Sequence, residues 1–148
     1  PEKLIPKTIF LAKQNKKIPI YGTGKSIRDW IYVDDHCEAV MLALQKGKSG
    51  ESYNISASNE LNVLTVVKKL LTLLDKPLSN LQFGEGRPGE DLRYSLDSSK
   101  IRKELGWRHK MDSDVGFQKT IQWYIANENR LENLPKNILS STPWKDLS

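Results

Sequence analysis

Apolar residues recur at helical spacing in several segments of the chain. Glu2 to Lys17 carries Leu4, Ile5, Ile9, Phe10 and Ala12 between lysines, which predicts an amphipathic helix starting near Pro6. The strongest stripe is Val63, Val66, Val67, Leu70, Leu71 and Leu74, with Asn62 as N-cap and Pro77 as the stop. A last helix is expected from Asp114 to Asn133, burying Phe117, Ile121, Tyr124 and Ile125. Two further helices are expected. One is capped by Asp34 or Asp35 and runs to Leu44, with Val40, Ala43 and Leu44 inward and Gly47 and Gly50 ending it. The other is "SSKIRKELGW", capped by Ser98 or Ser99.

Short β-branched and aromatic runs predict strands at "IPIYG", "RDWIYV", "ESYNIS" and Arg93 to Leu96. Gly22 to Lys25 reads as a glycine-rich hairpin turn between the first two. "GEGRPGEDLRYSLD" is a loop punctuated by glycine and proline. The fold class is therefore α/β, a mixed α+β arrangement of several helices with short strands. Residues 1–134 form the folded portion and 135–148 a polar tail.

Composition narrows the partners. The 148 residues carry a formal net charge of +5, which favours anionic ligands. The lysines are scattered, and no tract mixes arginine and aromatics densely, so nucleic acid is not an expected partner. Cys37 is the one cysteine. It excludes an internal disulfide and reads as a buried apolar residue in a reduced, cytoplasmic setting. No apolar stretch approaches the roughly 20 residues that span a bilayer. No metal site is expected. The chain opens at Pro1, and the expectation is a portion of something longer.

"YGTGKS", Tyr21 to Ser26, imitates two nucleotide motifs. A P-loop needs its first glycine at position 19, which is Pro19, and a helix after Ser26, where a strand pattern follows. Tyr21 and Lys25 have Y-x-x-x-K spacing, but that pair acts from one face of a helix, and Gly22 and Gly24 lie between them.

Read in order, "PEKLIP", "IRDW" followed by "YVDDH", "GESYNI", "NELN", "RPGEDLRYSLD", "KIRKELGW" and "TIQWY" resemble the extended short-chain dehydrogenase/reductases of the NAD-dependent epimerase/dehydratase family. The nearest resemblance is to the dTDP-glucose 4,6-dehydratases, over nearly the whole chain to about Asn133. It implies the C-terminal substrate-binding portion of a lyase that turns dTDP-glucose into dTDP-4-keto-6-deoxyglucose. NAD and the catalytic residues belong to an N-terminal Rossmann half. This chain holds neither that half's G-x-x-G-x-x-G loop nor its tyrosine–lysine pair, and alone is expected to be inactive, with no catalytic or cofactor-binding residue.

The resemblance implies substrate-binding roles for seven residues. Arg28 and Arg87 match arginines that face the diphosphate, where a planar, permanently charged fork of donors suits two phosphates. Pro19 and Tyr21 match the strand lining the nucleobase pocket. Asn62 matches a nucleotide contact, Lys3 a residue near the sugar phosphate, and Glu90 stands where the family usually has histidine. On residue type alone the readings are plainer. Arg28 is a surface strand arginine beside Asp29, Arg87 a loop cation, Asn62 a helix cap and Tyr21 a core tyrosine. His36, Trp30, Trp107 and Trp123 read as structural. The expected partners are a dTDP-sugar, the missing Rossmann half, and further copies of the chain through exposed apolar surface. Alternatives are a related nucleotide-sugar epimerase or decarboxylase, and a stand-alone basic binding module.

Overall fold

The computed structural model describes residues 3–129, which divide into two compact units. Five helices and five short strands follow in the order α1 (Leu4–Lys13), β1 (Ile18–Tyr21), β2 (Ile27–Asp29), α2 (Val33–Lys46), β3 (Glu60–Asn62), α3 (Val63–Leu73), β4 (Leu81–Gly84), β5 (Arg93–Tyr94), α4 (Ser99–Leu105) and α5 (Ser113–Ala126). The mixed α/β class is as expected.

Of the described residues, the first unit takes 3–26, 62–92 and 118–129. β1 and β4 pair in parallel, with Ile18 opposite Leu81 and Tyr21 opposite Gly84. α1 and α3 pack beside one another, and their apolar faces close on this pair of strands. Leu11, Ala12, Ile18, Ile20, Val67 and Leu71 form its buried cluster. α3 begins where local chemistry says it should, since Asn62 Oδ1 accepts from Thr65 N–H at 2.8 Å. The first turn of α1 contains Pro6, where a missing N–H costs no helix bond.

The second unit takes residues 27–61 and 93–117. Its sheet has the order β3-β2-β5, with β2 and β5 parallel. Ala39, Ile101 and Trp107 form its buried cluster, joined by Ile31, Leu42, Tyr53, Ile55 and Leu105. The Asp29 carboxylate accepts from the Ser56 hydroxyl and from the Ser58 and Asn59 amides, which ties residues 56–59 to the end of β2.

Several expectations fail. Gly22–Lys25 is no hairpin, because β1 and β2 join different sheets and β1 pairs in parallel with β4. Neither Asp34 nor Asp35 caps α2. Tyr32 is at the cap without a side-chain bond, and buried Asp35 instead accepts from the Lys110 and Met111 amides. "ESYNIS" is not a strand. Val40 and Leu44 point to solvent, at 46% and 78% exposure, and Cys37 is exposed as well. Ile125 and Trp123 are exposed on α5, where Phe117 and Ile121 are buried. Ser98 occupies the cap of α4 but donates its hydroxyl to the Ser56 carbonyl; the Asp97 carboxylate receives the Ser99 N–H instead. Asn133, Trp144 and the tail after Pro135 lie outside the described residues.

Candidate functional site

In the first unit, β1 and β4 end together, and both lead into glycine-rich segments. The Gly22 N–H donates to the Gly84 carbonyl at 3.1 Å, extending the ladder by one bond. Beyond it, Gly22 and Gly86 face each other. A Cβ added at Gly22 would sit 3.5 Å from the Gly86 Cα, and Gly22 itself has φ of +54°. The two backbones therefore approach with no side chain between them, a surface of open peptide groups such as ligands use.

The side chains around this point are cationic or aromatic. Tyr21, half-buried at the end of β1, receives a hydrogen bond from Lys7 Nζ at 3.3 Å, and that ammonium lies 5.9 Å from its ring centre. Lys7 is 6% exposed, and burial lowers its pKa. Burial raises the pKa of Tyr21, and the Arg87 guanidinium acts against that rise, so Arg87 lies close enough for its charge to reach the phenol. Arg87 itself is exposed in the loop after β4, and its carbonyl accepts from the Glu90 N–H at 3.2 Å in a tight turn.

The turn after β1 is anchored on its other side. The Gly24 carbonyl accepts from Leu64 N–H and the Ser26 carbonyl from Val63 N–H. These are first-turn amides of α3, beside the capping Asn62. Residues 21–26, 62–64 and 84–90 thus form one connected loop cluster. Of the seven candidate ligands, Tyr21, Asn62, Arg87 and Glu90 belong to it. Pro19 lies earlier on β1, half-buried and opposite Gln82. Lys3 is exposed at the cap of α1. Arg28 belongs to the second unit, where its Nη1 donates to the Ile27 carbonyl at 2.7 Å.

Lys7 is the residue that sequence reading passed over. The signal was present, since it sits three residues after Leu4 and four before Leu11, on the apolar stripe of α1.

Gly84, Gly86 and Gly89 have G-x-G-x-x-G spacing directly after a parallel strand. The dinucleotide motif needs a helix after that loop, with its N-terminus aimed at the pyrophosphate. Here the chain turns at Arg87–Glu90 and runs on to β5. The loop therefore does not fit NAD. Among the described residues no cluster of three His, Cys, Asp or Glu side chains could hold a metal.

The fold is that of the C-terminal part of an extended short-chain dehydrogenase/reductase. A dTDP-glucose 4,6-dehydratase from Streptomyces venezuelae, solved with NAD and dTDP, superposes with a TM-score of 0.88 at 38% identity, over 91% of this chain and 42% of that one. The Bacillus anthracis dTDP-glucose 4,6-dehydratase, in complex with NAD, gives 0.83 at 40% identity, over 89% of this chain and 43% of that one. A probable dTDP-glucose 4,6-dehydratase from Sinorhizobium fredii is 44% identical over 134 residues, 86% of this chain and 38% of its own length. The model of the family described as GDP-mannose 4,6 dehydratase matches residues 1–120. The chain belongs to that family. It spans about two fifths of the length of the curated relatives it matches.

Proposed function

We propose that this chain is the nucleotide-sugar-binding portion of an NAD-dependent dTDP-glucose 4,6-dehydratase. The observation that carries the reading is the loop cluster at the ends of β1 and β4. It places Arg87 within electrostatic reach of Tyr21, beside a glycine-on-glycine approach and the capped start of α3. A diphosphate suits the exposed guanidinium and the nearby peptide groups, and a base suits the face of Tyr21. Pro19, Asn62 and Glu90 complete the proposed contacts in the first unit, with Lys3, at the cap of α1, nearer the sugar. Arg28 is proposed as a second diphosphate ligand on its match to the family's "IRDW".

On this reading the hydride chemistry belongs to a cofactor held outside this chain. The residues here bind and orient the substrate, and the chain alone turns nothing over. The exposed apolar face of α2 supports a docked partner. Val33, Cys37, Val40, Met41 and Leu44 follow one another at helical spacing, and all are exposed. The proposed occupant is a Rossmann half, for which the additional length of the relatives leaves room. Without it, the face drives self-association. The proposed setting is the cytoplasm; among the described residues no helix is long and apolar enough to cross a membrane.

The test is calorimetric titration with dTDP, UDP and GDP. Saturable binding of dTDP, weaker for the other two and lost in Arg87→Ala, supports the reading. A folded chain that binds none of the three, or all three alike, overturns it.

A further inference from the structure

The second unit contains a cavity of about 700 Å³ that the nucleotide reading does not use. That volume lies within the range of small-molecule sites, roughly 300–1,000 Å³. Four cations line it: Arg93, Arg102, Lys103 and Arg108. Two carboxylates line it as well, and both are already engaged. Glu60 accepts from Arg93 Nε and Nη2, each at 2.7 Å, and from the Ser95 hydroxyl at 2.8 Å. Asp97 accepts from the N–H and the hydroxyl of Ser99.

The positive charge that remains is only partly offset, by the field of Asp97 on Arg102. Among the described residues no ion pair holds Arg102, Lys103 or Arg108. Arg102 is nevertheless fixed in place. Its Nη2 donates to the Ser56 carbonyl at 3.2 Å and to the Ser58 hydroxyl oxygen at 3.0 Å. The Ser58 hydroxyl keeps its own proton to donate. Arg108 follows buried Trp107, and Gly106, at φ +71°, turns the chain back after α4. Three cations thus line one concavity against a single carboxylate outside the Arg93–Glu60 pair, Asp97, and the excess positive charge focuses potential on the opening.

This cavity is separate from the expected diphosphate contact of Arg28. Ile27 lies opposite Arg93 and Arg28 opposite Tyr94 in the parallel β2–β5 pair. Successive side chains leave a strand on opposite faces, so Arg28 and Arg93 point to opposite sides of the sheet.

We propose that Arg102, Lys103 and Arg108, with the Ser58 hydroxyl, form a second anion site that takes a small phosphate-bearing molecule. Arg93 contributes to the wall, with its guanidinium committed to Glu60.

The experiment is an amide NMR titration of the full chain with inorganic pyrophosphate, repeated on the double variant K103Q/R108Q. Both residues are exposed and hold no ion pair, so the variant folds as the parent does. The expected result is a saturable shift at the amides of Ser58, Ser98, Arg102 and Lys103. Affinity read there should fall by about fivefold in the double variant, the scale of two exposed charge contacts. Three results would overturn the proposal: no saturable shift, shifts equally strong in the variant, or shifts confined to residues 84–90, which would place the anion at the nucleotide loop instead.

Discussion

Gly24→Ala isolates the backbone device on which the loop cluster at the ends of β1 and β4 rests. Gly24 holds φ at +67°, donates its N–H to the Tyr21 carbonyl at 3.1 Å and receives Leu64 N–H at 3.0 Å. An L-residue in that left-handed conformation costs roughly 1–2 kcal/mol. Space adds a second cost. A Cβ there would lie 2.7 Å from Ile20 Cγ2 and 3.1 Å from Leu64 Cβ. Ile20 is fully buried in the first unit's cluster and cannot swing aside, so overpacking adds about 1–3 kcal/mol. The expected loss of stability is therefore about 2–5 kcal/mol. Gly50→Ala is the control, because Gly50 has φ of +81° with nothing within 4 Å of an added Cβ. It should cost only the conformational part, about 1–2 kcal/mol. Urea unfolding followed by tryptophan fluorescence, with midpoint and slope fitted for both variants, measures the difference. Equal losses in the two would refute the claim that Ile20 and Leu64 enforce glycine at this turn.

Three further outcomes follow from the same geometry. Arg87 favours the charged form of Tyr21, so Arg87→Ala should raise the phenol's pKa further; ultraviolet titration that shows it unchanged or lower would separate the two residues. Glu60 has its pKa lowered to about 2, first by its hydrogen bond to Arg93 and then by that to Ser95. A depressed carboxylate stabilises the fold fully above its unfolded value of 4.5, and that support fades as pH falls towards about 2. Glu60→Gln should flatten the acid limb of stability in that window, and an unchanged limb in thermal melts from pH 5 to pH 2 would contradict the assignment (a test made at low salt, since the pair is exposed). On α2, Met41→Glu with Leu44→Glu should change stability by no more than about 0.5 kcal/mol and reduce self-association, because both side chains already face solvent. Sedimentation that shows the same assembly in the double variant would remove that face from the account.

What was legible in the sequence was what short-range chemistry decides. α3 declared itself through one apolar stripe and one capping asparagine, both within a few residues of where they act. α2 was legible as a helix but not in its orientation. An apolar stripe marks a face without saying what covers it, and Val40 and Leu44 are uncovered here. Asp35 looked like a cap because acids favour helix starts. Its partners are amides 75 and 76 residues away, which no local pattern reveals. The hairpin reading of "YGTGKS" failed for the same reason, since β1 pairs with a strand some sixty residues later in the chain. In the candidate site, the glycine- and proline-punctuated loop that carries Arg87 was legible from residue types alone. The charge of Arg87 on Tyr21 and the burial of Lys7 needed the fold.

The central claim is that the loop cluster at the ends of β1 and β4 holds the nucleotide. Amide NMR spectra of the folded chain with increasing dTDP test it residue by residue, with Arg87→Ala as the comparison. The account predicts saturable shifts at Tyr21, Gly22, Gly84, Gly86 and Arg87, and their loss in the variant. A folded chain whose shifts fall elsewhere, or whose variant responds as the parent does, would contradict it.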